Sequence, residues 1–264
     1  MPSSIDREKI VLPHWGSGVT AAELRMAIDG LGTAASPSGS ISLGDEAAIR
    51  TVERAFLHND ESPRRMLLAR GRADPAFAAR MVDHILPEVA RRLESGWGED
   101  RLSFVDVTIA AARVQDALRA LGRIELPRPD AKTVALIVPP WEQHTLAAAF
   151  AAQTMRRLGA QVRTITGPSV AVIAALVSRA PVSAVMMSIS SEAARERAPD
   201  LLLGLRRAVP QALPFVVGGA IAAGRPASVC PRGADFLARD CEEALGFCKF
   251  PLSHPEGAGE MSDA

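Results

Sequence analysis

The stretch LIVPPWEQHTLA, residues 136–147, decides the fold of this chain. It begins inside an apolar, β-type run, Thr133–Val138, that ends at two consecutive prolines. Glu142, Gln143 and His144 follow at the start of an alanine-rich helical segment. A loop that leads from a strand into a helix lies at the carboxyl end of the strand, where open α/β sheets bind ligands. His144 is therefore expected in a ligand crevice, although a lone loop histidine is also typical of a solvated side chain or a helix cap.

The second half of the chain alternates between two kinds of apolar pattern after a proline-rich linker, Leu126–Pro129. Proline ends helices and stiffens connections, so we place a domain boundary at this linker. Strands are expected near 133–138, 161–166, 182–189 and 213–217, helices near 143–158, 169–179 and 192–208, and a last strand and helix near 234–248. This alternation predicts a parallel sheet with helices on both faces.

Upstream of the linker the apolar residues follow a helical period, which predicts a bundle of four helices. Trp97 is expected in a glycine-flanked turn between the last two of them, and Ser103 with Asp106 is a capping pair for the last. We divide the chain into a flexible arm (1–44, with one short helix near Thr20–Leu31), a helical bundle (45–125), an α/β domain (130–250) and a disordered tail (251–264).

The charge balance argues against nucleic acid and membrane surfaces as direct partners, because 30 basic residues match 30 acidic ones. No apolar run is long enough to span a bilayer and the N-terminus lacks a signal-peptide core, so a cytoplasmic protein is expected. No Ser-His-Asp order, metal cluster or P-loop is visible, and we do not expect an enzyme. Cys230, Cys241 and Cys248 are interpreted as reduced thiols, with a redox switch as the alternative.

The spacing of the loop residues resembles the fingerprint of cobalamin-binding domains. Glu142-x-His144-x-x-Ala147 is followed about forty residues later by Ser188-x-Ser190, and under thirty residues further by Gly218-Gly219. The family pattern is Asp-x-His-x-x-Gly, Ser-x-Leu and Gly-Gly, so this chain departs from it at Glu142, Ala147 and Ser190. The resemblance implies a Rossmann-like (flavodoxin-like) cobalamin-binding domain preceded by a small helical bundle.

The resemblance also assigns roles to these residues. It implies that His144 is the lower axial ligand of cobalt, and that Glu142 orients the imidazole and raises its basicity. The serines and glycines would line a channel for the displaced nucleotide tail of the cofactor. The residues predicted to bind the cofactor are Trp97, Val107, Thr108, Trp141, Glu142, His144, Thr145, Ala147, Ser188, Ser190, Gly218 and Gly219.

A second stretch, LESGWGEDRLSFVDVTIAAARVQ at 93–115, resembles the helical module of the AerR/PpaA photosynthesis regulators, as does EQHTL at 142–146. The resemblance covers about residues 75–220. It implies a light-responsive, cobalamin-binding antirepressor that acts on a PpsR/CrtJ-type repressor. Alone, the protein is expected to bind DNA only weakly and without sequence preference.

The bundle side of the site implies a preference among cobalamin forms. In the adenosylcobalamin photoreceptors that share this plan, a Trp is followed some ten residues later by a Glu-His pair around the upper ligand. Trp97 matches the Trp, but Val107 and Thr108 occupy the positions of the polar pair. Hydroxocobalamin is therefore expected to bind in preference to adenosylcobalamin. Trp97 could instead simply close the bundle core.

Two other ligand classes fit the same fold. The AppA-type sensors resemble this helical-plus-α/β plan and bind haem, and in that case His84 could cap the ligand from above. A corrinoid carrier protein of a methyltransferase system is the third alternative.

Overall fold

The computed structural model describes residues 18–32, 43–122, 131–142, 144–210, 212–222 and 230–252. The described residues form a helical bundle followed by an α/β domain with a five-stranded sheet. The predicted linker Leu126–Pro129 lies outside the described residues, as does all but the first two residues of the predicted tail. None of the described helices is both long enough and apolar enough to cross a membrane.

The bundle encloses one apolar core, to which every bundle helix contributes. Its largest fully buried side chains include Leu24, Ile49, Phe56, Leu86 and Leu93. The helices are α1 (Ala21–Gly32), α2 (Leu43–Leu57), α3 (Ser62–Ala73), α4 (Pro75–Arg80), a π-helical turn (Met81–Ile85), α5 (Leu86–Gly98) and α6 (Phe104–Leu121).

Part of the predicted flexible arm belongs to this core, which corrects the boundary at residue 45. Helix α1 was expected, but not its burial: Val19, Leu24 and Ala27 are all buried in the bundle core. Arg54 of α2 also pairs with Glu23 of α1 at 3.3 Å. The glycine- and serine-rich composition of the first 44 residues did not indicate that this short helix is stabilised by tertiary packing.

The prediction that Trp97 lies in a turn between two helices is wrong. Helix α5 continues through Gly98, so Trp97 occupies its last turn, and half of its surface is exposed. Gly96 does not end the helix because it serves as a packing site, where an added Cβ would lie 2.6 Å from Leu102. The predicted capping pair is confirmed, since Ser103 and Asp106 form a reciprocal capping box at the start of α6.

The sheet is fully parallel, with strand order β2-β1-β3-β4-β5. The predicted alternation is confirmed, with boundaries that differ by at most two residues for the first four strands and all three long helices. The elements are β1 (Thr133–Val138), α7 (Thr145–Arg157), β2 (Gln161–Thr166), α8 (Val170–Arg179), β3 (Ala184–Ser188), α9 (Glu192–Ala208), β4 (Phe215–Gly218), β5 (Phe236–Leu237) and α10 (Cys241–Phe247).

Helices cover both faces of the sheet, as predicted. Every residue of β1 is buried, because its side chains alternate between a core under α8 and α9 and a second core under α7 and α10. In the sheet, β2 lies on one side of β1 and β3 lies on the other. This reversal between β1 and β3 is the topological switch point, where α/β sheets form a crevice at the carboxyl ends of their strands.

Helix α7 joins the two parts of the molecule. Its Ala148, Ala152 and Met155 pack under the sheet, whereas Ala149 and Phe150 pack against the bundle core. A helix of 13 residues is about 20 Å long, so α7 spans much of the boundary between bundle and sheet. The start of α7 therefore brings the bundle close to the carboxyl edge of the sheet.

Candidate functional site

The buried side chain of Glu142 links two loops of the site. This side chain is only 1% exposed, in the loop between β1 and α7. The carboxylate accepts hydrogen bonds from the backbone N–H groups of His144 (2.9 Å) and Ser190 (2.7 Å). It thereby ties the loop after β1 to the loop after β3 across the switch point. A buried carboxylate without such partners would be strongly unfavourable, so these bonds determine where it lies.

The electrostatics of Glu142 follow from the same contacts. Burial raises the pKa of this carboxyl, but the hydrogen bonds from the backbone of His144 and Ser190 and from the His144 ring more than offset that effect. The net result is a pKa below its ordinary value of 4.5. Glu142 is therefore a carboxylate at neutral pH and can act as a permanent acceptor for an imidazole N–H.

His144 lies directly against this carboxylate, in the helix-cap position of α7. Its Nδ1 is 2.7 Å from Glu142 Oε1, and its side chain is 40% exposed. Nε2 lies on the other side of the ring, 3.3 Å from Oε1 of Glu94 at the end of α5. The ring thus has one nitrogen held by a buried carboxylate and the other at an accessible surface, which is the arrangement of a histidine metal ligand with a supporting carboxylate.

A cavity of about 370 Å³ lies between the sheet, α7 and α10. His144 and Glu142 are not among its lining residues, but Ala147, three positions after His144, is. Four of the predicted residues line it, one from α7 and three from strand ends: Ala147, Ser188, Gly218 and Gly219. Its walls are mostly apolar and include Phe150, Met155, Met186, Met187 and Val216, with Arg239, Asp240 and Cys241 at the start of α10. The loop spacing that suggested a channel therefore corresponds to a real cavity.

The two glycines contribute to the cavity in different ways. Gly219 has a positive φ of 103°, and a Cβ there would lie 2.4 Å from the backbone oxygen of Ile189. Only glycine lets the loops after β3 and β4 approach so closely. Gly218 shares a sheet face with Val216, toward α7 and α10, and its added Cβ would meet only Ala238 O, at 3.4 Å. Its missing side chain therefore leaves space in the cavity.

The departures of this chain from the cobalamin fingerprint do not obstruct the site. Ala147 is exposed and lines the cavity, which keeps its volume of about 370 Å³ despite the methyl group. Glu142 reaches both His144 and Ser190, as described above. Ser190 contributes its backbone N–H to Glu142, and its hydroxyl oxygen is buried without a hydrogen-bond partner. An orphaned polar atom beside a histidine with an accessible nitrogen is compatible with a bound polar ligand.

Trp141 and Thr145, which were predicted to bind the cofactor, do not line the cavity. Trp141 packs against the core under α8 and α9, and the guanidinium of Arg197 lies 4.8 Å from the centre of its ring. Thr145 is exposed as the first residue of α7.

On the bundle side, Phe104, Val107 and Val114 recur by threes and fours, which predicts that they share the buried face of α6. The structure corrects this prediction, because Phe104 is 70% exposed and the buried positions include Ala110 and Val114. Val107 packs against the bundle core, and the Thr108 hydroxyl donates to Phe104 O at 2.7 Å. Neither therefore offers a free polar group to a ligand. The signal we missed is a second apolar stripe on the same helix, Phe104, Val105 and Ile109.

We define the bundle corner as four exposed apolar residues: Trp97, Phe104, Val105 and Ile109. Trp97 is one helical turn after Glu94, which touches His144, so it extends the same face of α5. The contact between Glu94 and His144 could not be predicted from the sequence, because it joins residues that are fifty positions apart. The corner thus belongs to the part of the bundle that lies next to the site.

The other described histidines lie elsewhere. His84 is exposed, and its neighbour Asp83 pairs with Arg157 at the C-terminal end of α7, the end opposite to His144. This position does not suit the role proposed for His84 above a haem. His58 follows α2, where its ring accepts a hydrogen bond from the backbone of Asp60.

The three cysteines are free thiols. Burial raises the pKa of Cys241, which lines the cavity, and of Cys248, to about 11 in both cases. Burial also raises the pKa of Cys230. Because the thiolate is the reactive form, this protonation argues against the alternative of a redox switch.

These features define an α/β protein whose ligand cavity opens at the carboxyl edge of a parallel sheet, next to a helical bundle. No model of a known protein family matches the chain. It is 33% identical over 164 residues to an uncharacterised 20.5 kDa protein of Rhodobacter capsulatus from the bchF-crtJ intergenic region, over 61% of this chain and 85% of that protein. The chain belongs to the same family as this protein.

Two solved structures share a more distant similarity. A cobalamin-binding protein from Desulfitobacterium hafniense aligns with 76% of this chain and 97% of its own, at 17% identity and a TM-score of 0.38. The methanol:cobalamin methyltransferase complex MtaBC from Methanosarcina barkeri aligns over 84% of this chain and 83% of its own, at 15% identity and a TM-score of 0.34.

Proposed function

We propose that this protein is a cobalamin-binding, non-catalytic regulator that acts as an antirepressor of a PpsR/CrtJ-type transcription factor, as in the AerR/PpaA group. The observation that carries the cofactor assignment is the Glu142–His144 pair together with a cavity lined by Ser188, Gly218 and Gly219. A histidine with one accessible nitrogen suits a metal whose other ligands come from a macrocycle.

Different parts of the site would hold different parts of the cofactor. His144 Nε2 would be the lower cobalt ligand, with Glu142 holding the ring through Nδ1. The cavity between α7, α10 and the sheet would receive the nucleotide tail. Bound cobalamin would supply a cobalt centre whose upper ligand is sensitive to light.

The preferred form of the cofactor is hydroxocobalamin. Trp97 lies beside the site without a polar partner pair, because Val107 is part of the bundle core and the Thr108 hydroxyl is bonded to its own helix. An adenosyl group would lose hydrogen bonds to water that these side chains do not replace, at about 1–3 kcal/mol for each buried polar group. Light would therefore act on the ligand before it binds.

The regulatory role is supported by the relative from the bchF-crtJ intergenic region, which places a member of this family beside the gene of a photosynthesis repressor. The balanced charge of the chain supports action through a protein partner rather than through DNA. A gel-shift assay with a photosynthesis promoter tests this part. The protein with its cofactor should release a PpsR/CrtJ-type repressor from the DNA, and tight, sequence-specific binding by the protein alone would contradict the proposal.

Absorption titrations test the cofactor assignment. The purified protein should bind hydroxocobalamin with a histidine-ligated spectrum, bind adenosylcobalamin more weakly in the dark, and show no specific complex with haemin. A stable haem complex without cobalamin binding would favour the haem alternative instead. Equal or tighter binding of adenosylcobalamin would contradict the preference argued from Val107 and Thr108.

A further inference from the structure

The nitrogen of His144 that faces the accessible side of the site is already in contact with the bundle. Nε2 lies 3.3 Å from Glu94 Oε1, while Nδ1 lies 2.7 Å from Glu142 Oε1. The two carboxylates differ in their surroundings, because the Glu142 side chain is 1% exposed and the Glu94 side chain is 64% exposed. Glu142 is fixed by three hydrogen bonds, whereas the carboxylate of Glu94 can move away into solvent.

From this geometry we infer that Glu94 is a gate on the ligand-binding nitrogen of His144, so that cofactor binding must break a contact that holds the end of α5 against the α/β domain. The inference rests on the proposed function. Nε2 cannot contact Glu94 and bind a metal along the same direction. Binding of the cofactor therefore releases the end of α5 from the α/β domain.

The position of Glu94 makes this release local. At the other end of α7, Arg157 pairs with Asp83 of the bundle, and between the two ends Ala149 and Phe150 pack into the bundle core. Loss of the Glu94 contact would therefore free the last turn of α5 and the bundle corner that follows it, while the rest of the bundle stays in place. The corner carries Trp97 and Phe104, whose exposed apolar surfaces would change their surroundings when the contact breaks.

Glu94→Gln tests the inference, with Glu99→Gln as the matched control. Glu99 is the C-cap residue of the same helix, is 61% exposed and pairs with Arg101. Glu94→Gln should bind hydroxocobalamin about two- to fivefold more tightly than the wild type, since an exposed contact between a carboxylate and an imidazole contributes less than about tenfold to an equilibrium. Glu99→Gln should bind as the wild type does.

Hydrogen–deuterium exchange of the cofactor-free proteins gives a second readout. Peptides from residues 90–104 should exchange faster in Glu94→Gln than in the wild type, and binding of hydroxocobalamin to the wild type should speed the same peptides. Removal of a negative charge from the C-terminal end of a helix stabilises the helix. If only the helix dipole mattered, the peptides of Glu94→Gln would therefore exchange more slowly than those of the wild type. In a His144→Ala background, where the contact is absent, Glu94→Gln should not speed exchange.

The outcomes separate the inference from the proposed function. If the wild type binds hydroxocobalamin but Glu94→Gln binds equally or more weakly, or its 90–104 peptides exchange no faster, Glu94 is not a gate. If Glu94→Gln changes exchange equally with and without His144, the contact is also not responsible. If the wild type does not bind hydroxocobalamin, the proposed function fails and the inference fails with it.

Discussion

On the sheet side of the site the carboxylate of Glu142 is held by other protein atoms, whereas on the bundle side Trp97 and Phe104 present exposed apolar surface. Glu142 is buried and fixed by the loops after β1 and β3, but Trp97 and Phe104 are at least half exposed. The difference indicates that the sheet side is formed before a ligand arrives. The bundle side keeps its apolar residues exposed, so changes on the two sides should have different consequences.

The largest effect is expected from Gly219→Ala, which acts on the preformed sheet side. The new Cβ would lie 2.4 Å from Ile189 O at a φ of 103°, so the loops after β3 and β4 must separate. The free energy of unfolding should fall by about 2–4 kcal/mol in urea denaturation. Gly246→Ala is the control, because no atom lies within 4 Å of its added Cβ. A loss below about 1 kcal/mol at Gly219 would mean that this side is not rigid.

The next effect concerns the support of the imidazole. The carboxylate of Glu142 accepts hydrogen bonds from the His144 ring and from two backbone N–H groups. Glu142→Gln replaces it by an amide, in which only the oxygen can accept a hydrogen bond. Affinity for hydroxocobalamin should fall by about 10- to 100-fold, measured by absorbance titration. This is opposite in sign to the effect of Glu94→Gln on the same ring. Unchanged affinity would show that the ring needs no support from the sheet side.

A smaller effect is expected from narrowing the cavity. Gly218→Val adds a side chain on the sheet face that borders the cavity, next to Ala238. Affinity for complete hydroxocobalamin should fall by about tenfold. Cobinamide, which lacks the nucleotide tail, should bind equally well to the variant and the wild type. Equal losses for the two ligands would place the tail outside this cavity, and thermal unfolding should confirm that the variant is folded.

The smallest effect is a change in thiol reactivity with pH. Because the pKa of Cys241 is raised to about 11, its thiol is neutral at pH 8, and its alkylation rate should rise about tenfold for each pH unit until that value is approached. Bound hydroxocobalamin should slow the alkylation of Cys241, which lines the cavity, by a few fold and leave Cys248 unaffected. Mass spectrometry of iodoacetamide-treated protein measures both. Fast alkylation at pH 7 would contradict the raised pKa.

The sequence was sufficient to predict the α/β domain because its central strands β1, β3 and β4 are apolar runs and most of its turns carry proline or glycine. The loops after β1, β3 and β4 could be assigned to one edge of the sheet for the same reason, and four of their residues line one cavity. The bundle side could not be predicted as well. The position of Phe104 depends on which of two apolar stripes faces the core, and the contact of Glu94 with His144 depends on how the bundle packs on α7.

The central claim is that His144 binds the cobalt of cobalamin, and its direct test is the spectrum of the His144→Ala variant with hydroxocobalamin. His84→Ala is the matched control, since His84 is exposed at the far end of α7. The wild type and His84→Ala should give the same histidine-ligated spectrum, and His144→Ala should lose it together with most of the affinity. If His144→Ala keeps both the spectrum and the affinity of the wild type, His144 is not the cobalt ligand and the account is wrong.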